Sequence, residues 1–297
     1  MLRPELLALA AALCWAVGSL FSARAASRMG TIGFNRWRLV FACSVLWVAV
    51  GIGGHWTPLA WSDAVLLSLS GLIGICIGDT ALFACMNRLG PRRSGVLFAC
   101  HALFSALLAW WLLGETLWGA ALVGSIFLVA GVMGAVLWGR RDTEQHIWEA
   151  TRGRLLVGVA LGLTAALCQA VATLMVKPLM AAGVDAVAGS AVRLSAALAL
   201  HVLVRALRYP PAQLNAPLQL ADLRNTFFSS AIAMGLGMTL ILLALQNGQA
   251  NLVGMFSSVS PVLLLPMLWV VYRARPATGA WWGAGMAVAG TALILWR

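Results

Sequence analysis

The feature that most constrains this chain is a succession of apolar runs, each about twenty residues long and almost free of charge. An apolar helix of about 20 residues covers the roughly 30 Å hydrocarbon core of a bilayer, and only a helix satisfies its own backbone there. Ten such runs can be drawn: Leu6–Ala23, Trp37–Gly53, Ala64–Met86, Ser94–Leu113, Leu117–Trp138, Leu155–Val176, Ala188–Leu207, Thr226–Leu245, Leu252–Tyr272 and Ala277–Trp296. Of the 297 residues, 62% are hydrophobic and 10% charged, where soluble domains carry about 25% charged residues. The expectation is an all-α integral membrane protein of ten transmembrane helices. The formal charge of +11 would suggest nucleic acid in a soluble chain. Here the basic residues fall between runs and meet lipid headgroups, so membrane lipid is the expected partner and nucleic acid is not.

Cys14, Cys43, Cys76, Cys85, Cys100 and Cys168 all lie within the runs, without metal-site spacing, and read as small core residues. No metal or cofactor is expected. The first run, with Arg3 before it and Ala23-Arg24-Ala25 after it, has the outline of a signal peptide. The charge that follows it at Arg24, Arg28, Arg36 and Arg38 opposes export, and it reads as a retained helix.

Ten spans place both termini on one side. Arg3, Lys177, Arg193 and Arg297 fall on that side, and the other sixteen basic residues on the opposite one. The positive-inside rule then sets both termini in the periplasm of a bacterial inner (plasma) membrane. Trp47, Trp56, Trp61, Trp110, Trp111 and Trp118 gather at the outer interface as an aromatic belt. The longest polar connections are residues 139–154, expected to be a cytoplasmic linker, and 209–225, expected to be an irregular loop or short interfacial helix.

The two halves resemble each other. Ala11-Ala12-Leu13-Cys14-Trp15-Ala16-Val17 matches Ala165-Ala166-Leu167-Cys168-Gln169-Ala170-Val171, and Arg38-Leu39 matches Arg193-Leu194. Gly78-x-Thr80 matches Gly237-x-Thr239, Gly95 matches Gly254, Trp110 matches Trp269, Gly124 matches Gly283, and Ala130-Gly131 matches Ala289-Gly290. The offset drifts only from 154 to 159 residues. Five spans is an odd number, so residues 1–138 and 155–297 form two inverted five-helix repeats. Such repeats place a binding site near the midplane and exchange conformations during alternating access.

These residues resemble the drug/metabolite transporter superfamily, in its ten-helix EamA-type exporters. The resemblance is carried by Leu13-Cys14-Trp15-Ala16-Val17-Gly18-Ser19, Arg38-Leu39, Gly78-Asp79-Thr80 through Asn87-Arg88-Leu89-Gly90, Leu113-Gly114-Glu115-Thr116, and Gly124 to Gly131. It implies a secondary exporter of small metabolites with helices 1–4 and 6–9 around a cavity and helices 5 and 10 as scaffold. The family's proline after a small polar residue is kept at Ser260-Pro261 but replaced by His101-Ala102 in the fourth span.

Asp79 and His101 stand out as ionisable groups within apolar spans, each eleven residues from Gly90 at the Gly90–Pro91 hinge. A carboxylate at such depth costs about 2.5–3.5 kcal/mol on insertion scales and normally faces a partner or a water-filled cavity. The expectation is that the two interact, at one depth, and bind a substrate ammonium or a proton. Trp15 and Ser19 answer in the repeat to Gln169 and Thr173, and Phe98 and His101 to Ser257 and Ser260. These nine residues make the expected substrate site, an aromatic wall facing a polar one, suited to an amphipathic solute such as an amino acid. Packing is the plainer account for any single member. Glu115 is expected to cap the fifth helix, His201 to pack, and Arg38 and Arg193 to snorkel or anchor helix ends. Gly279 and Gly283, with Ala120 and Gly124, supply small-residue packing pairs within or between subunits, leaving the oligomeric state open.

The reading is a secondary transporter exporting small amphipathic metabolites, with a proton as candidate coupling ion and no catalytic residues. A nucleotide-sugar carrier is the alternative within transporters, and a passive channel or an intramembrane enzyme the alternatives outside them. An enzyme would need a nucleophile–base set or a motif such as His-Glu-x-x-His, which the sequence lacks.

Overall fold

A computed structural model describes residues 3–54, 59–137, 154–208, 210, 214–272 and 277–296. Trp56, nearly all of the 139–154 linker, Pro211 and Arg273-Ala274-Arg275 lie outside the described residues. Helix α1 (Pro4–Met29) opens on a proline, whose missing N–H is one that no helix start can pair. It ends at Gly30, where φ is 76° and α2 (Thr31–Gly53) begins at once. The expected loop between the first two spans is therefore one glycine. Arg36 and Arg38, expected outside the bundle, lie within α2 and are buried. Gly90 repeats the device with φ 81°, separating α3 (Trp61–Gly90) from α4 (Arg93–Leu113) where Gly90–Pro91 predicts a hinge.

The remaining helices are α5 (Ala120–Leu137), α6 (Leu155–Ala181), α7 (Ala186–Ala206), α8 (Leu220–Asn247), α9 (Ala250–Ser257, resumed as Ser260–Tyr272) and α10 (Thr278–Leu295). Among the described residues nine helices are long and apolar enough to cross a bilayer, and α5 is a shorter apolar helix beside them. Helix α8 begins six residues before the expected Thr226 because Asp222, only 3% exposed, pairs with Arg28 of α1 at 3.1 Å. The loop ahead of it is partly seated on the bundle. Asn215 N–H donates to the Met29 carbonyl at 3.4 Å, and Leu214 packs on the Met29–Phe34 cluster.

The main packing pairs survive exchange of the halves, while α1–α2 and α6–α8 lack counterparts of similar extent. Helix α1 packs on α8 and α9 as α6 packs on α3 and α4, and α2 packs on α8 as α7 packs on α3. The pairs α2–α7, α4–α9 and α5–α10 are their own counterparts. This is a multi-pass membrane fold of two inverted five-helix repeats. Small residues set the closest crossings. A Cβ on Gly131 or Gly283 would overlap the backbone of Ala287 or Ala135, and Gly124 and Gly290 abut each other the same way. The α5–α10 seam thus uses Gly124 and Gly131 with Gly283 and Gly290, two helical turns apart on each helix. Of the expected pairs, Gly124 and Gly283 lie in the seam, whereas Ala120 is exposed and Gly279 half-buried.

Candidate functional site

The regular hydrogen-bond ladder fails at equivalent points of both halves. In α3, residues Leu72–Asp79 form a π-helical stretch, and in α8 residues Ser230–Gly237 do so. Wider π turns are uncommon and recur at functional sites. Both stretches are glycine-rich and cross a partner helix at close range. Gly74 sits against Ala172 of α6, and Ala233 against Gly18 of α1. Gly78 meets Cys168, and Gly237 meets Cys14. The small residues thus alternate sides between the two crossings, which keeps the approach close in both. A second pair of breaks interrupts α4 at Cys100 and α9 at Ser258.

The π stretches deliver side chains to a polar centre between α2, α3, α7 and α8. In the first half Asn35 Nδ2 donates to Thr80 Oγ1 at 3.4 Å, and Arg38 Nη1 lies 3.5 Å from Asp79 Oδ2. In the second half Thr239 Oγ1 and Ser190 Oγ are 3.4 Å apart, and Arg193 Nη1 donates to Met238 Sδ at 3.5 Å. The sets correspond position for position, with two changes of residue: serine stands where the first half has Asn35, and methionine where it has Asp79. Asp79 also attracts Arg193 electrostatically. The Arg193 guanidinium lies over Gly74, and a Cβ on Gly71 would overlap the Arg193 carbonyl. Phe34 and Phe83 carry the Arg38 guanidinium over their faces at 5.6 and 5.0 Å, a favourable cation–π arrangement. His201 joins the layer through Asn35 at 3.5 Å.

Several expectations are corrected here. Asp79 does not take His101 as its partner; its carboxylate faces the two arginines. The hinge sends α3 and α4 to different neighbours, so equal distance from Gly90 did not bring the side chains together. His101 instead pins the facing breaks of α4 and α9. Its Nδ1 is 3.0 Å from the Phe98 carbonyl, its Nε2 is 3.2 Å from Ser257 Oγ, and its ring stacks on Phe98 at 5.0 Å. Arg38 and Arg193 neither snorkel nor anchor helix ends, being 6% and 2% exposed inside the bundle. Glu115 does cap a helix, but the helix is α9 of the other half. Its two carboxylate oxygens accept from Ala250 N–H and Asn251 N–H at 2.9 and 3.0 Å.

The other expected site residues make bonds of their own. Trp15 Nε1 donates to the Ala233 carbonyl inside the α8 π stretch at 3.1 Å. Ser19 and Thr173 bond back to the carbonyls of Trp15 and Gln169, at 2.8 Å each, one turn earlier on their own helices. Gln169 is buried, Ser257 Oγ donates to the Gly254 carbonyl at 2.9 Å, and Ser260 is half-buried at the α9 break. Phe98, His101 and Ser257 are joined by direct contacts. The centre itself needed Asn35, Arg38, Ser190, Arg193 and Met238. Its signal was present in two separate repeat matches, Arg38-Leu39 with Arg193-Leu194 and Gly78-x-Thr80 with Gly237-x-Thr239. Joining them requires knowing that α2 and α3 are adjacent at this depth.

Inverted repeats with broken helices around a central polar layer define a membrane-transport fold, and comparison with known proteins agrees. The EamA-like transporter family model matches residues 2–137 and 156–296, one match per half. The chain belongs to the EamA-like transporter family. Among solved structures, one titled "Crystal structure of protein" is similar with a TM-score of 0.78 at 18% identity, over 98% of this chain and 96% of that one. That likeness concerns the fold. Among curated proteins, none matches significantly.

Proposed function

We propose that this membrane transporter of small molecules is a secondary exporter of amphipathic metabolites, amino acids or related compounds, working by alternating access in a bacterial inner membrane. Both termini face the periplasm in this reading. The observation that supports it is the set of main packing pairs shared by the two halves, with π stretches in α3 and α8 and breaks in α4 and α9 at equivalent points. Two near-equivalent halves interconverting shapes give two access states of similar energy, and interrupted helices supply the bending points. A proton is the proposed coupling ion, with Asp79 as its carrier, since ionisable side chains inside membrane spans commonly serve as proton relays.

Counterflow in proteoliposomes tests the transport reading. Saturable uptake of an amino acid, accelerated by the same compound inside, is expected. Non-saturating flux without acceleration overturns it in favour of a channel. Transport by Asp79→Asn with an unaltered pH profile overturns the proton assignment alone.

A further inference from the structure

The charge at the polar centre does not balance. Arg38 and Arg193 bring two guanidiniums inside the bundle, 6% and 2% exposed, and the carboxylate acting on both is Asp79. Arg38 is the better served, with Asp79 Oδ2 at 3.5 Å and two aromatic faces beneath it. Arg193 is not. At the equivalent place it has the Met238 thioether, a weak and uncharged acceptor. Among the described residues, Nε and Nη1 of Arg38 and Nε of Arg193 lack a hydrogen-bond partner, so neither guanidinium is saturated. Burying a guanidinium without its anion is strongly unfavourable, and an apolar side chain of similar volume would pack the same space at less cost. The chain nevertheless keeps glycines at positions 71 and 74, which admit the Arg193 backbone and guanidinium.

We infer that the second half of the centre is an oxyanion site, in which Arg193, with Arg38 behind it, takes the carboxylate of the transported molecule in the place Asp79 holds in the first half. This rests on the transport reading and names the chemical group recognised. The planar guanidinium fork matches a carboxylate through two parallel N–H···O bonds. Two guanidiniums and one carboxylate leave one positive charge, so a singly charged anion neutralises the centre, and a diphosphate would overshoot it. Met238 suits a temporary cover: its flexible thioether can swing off the guanidinium without leaving a charge behind. Recognition therefore falls on the carboxylate of an amphipathic solute and not on its ammonium group.

The test is thermal unfolding of the purified full chain in detergent, titrated with benzoate or with benzylammonium at matched ionic strength. Benzoate is expected to raise Tm saturably, as a ligand specific to the folded state does, and benzylammonium to leave it unchanged. Met238→Asp installs a resident carboxylate at the site. Its unliganded Tm should equal or exceed that of the parent, and the benzoate shift should be lost. Met238→Leu should keep the shift, and Met238→Glu replaces the aspartate variant if that variant does not fold. The inference is overturned by a flat benzoate response in the parent chain, by an equal shift with benzylammonium, by a shift that persists with the acidic side chain, or by its loss in Met238→Leu. A shift with benzylammonium alone would keep a ligand site and remove the anion assignment. Absence of saturable counterflow removes the transport reading itself.

Discussion

Asp79 is the carboxylate that acts on both Arg38 and Arg193 inside the bundle, and its removal should be felt at once. Asp79→Asn keeps the shape and deletes the charge. Breaking a buried pair in this way costs about 3–5 kcal/mol, so a large fall in Tm or in folded yield from detergent extracts is expected. The pseudo-symmetry offers a sharper check. Because Met238 occupies the equivalent position beside Arg193, Asp79→Met combined with Met238→Asp moves the carboxylate to the other half. The double variant should recover most of the stability that Asp79→Met loses, and a strictly additive result would show that the two positions do not share one electrostatic centre. Glu115 permits a smaller prediction. Its carboxylate accepts from two N–H groups at the start of α9, so Glu115→Ala should lower stability by about 1 kcal/mol, the usual worth of a helix cap, read as a modest drop in Tm.

At the level of helices, the conformation follows small residues more than the hydrophobic pattern. Apolar runs are much alike all round, so they say that a span exists and not which face it presents. Glycines carry the missing information. Gly30 and Gly90 turn the chain back with φ near 80°, while Gly131 and Gly283 let α5 and α10 touch backbone to backbone. Gly283→Val has no room at that seam, and overpacking of this kind costs about 1–3 kcal/mol. A lowered Tm is expected while the polar centre, built on other helices, keeps any ligand-induced shift. The hinge at Gly90–Pro91 was legible in the sequence, because proline disfavours helical backbone at the residue before it. The α4 break at Cys100 and both π stretches were not. No residue type demands a π turn, and the ladder yields there because α3 and α8 must also fit closely against α6 and α1.

For the whole molecule, the two ends of the bundle are held by different contacts. At the end expected to face the cytoplasm, Arg28 pairs with Asp222 at 3.1 Å, and Ser22 Oγ meets Ser229 Oγ at 2.8 Å across the α1–α8 crossing. At the other end, Glu115 ties the first repeat to the start of α9 in the second, and the Lys177 ammonium bonds the Leu245 carbonyl at 2.8 Å within the second repeat. Under the proposed alternating access, α1 and α8 part at this end. A Ser22→Cys, Ser229→Cys pair should therefore form a disulfide under oxidation and stop counterflow, and reduction should restore it. Undiminished counterflow in the cross-linked protein would argue against motion at this crossing.

The sequence by itself determined the number and order of the spans, the inverted repeat and the family. These depend on the bilayer's thickness and on residue identities repeating at a nearly constant offset, both properties of a linear string. The tertiary structure alone decided which polar residues meet. Asp79 and His101 lie equally far from Gly90 along the chain, but packing against different helices gave them different partners. Arg38 and Arg193, 155 positions apart, share one carboxylate only because inverted halves bring α2 and α7 together at their common axis. A buried charge takes its role from what surrounds it, and in this protein those surroundings come from four helices and both repeats.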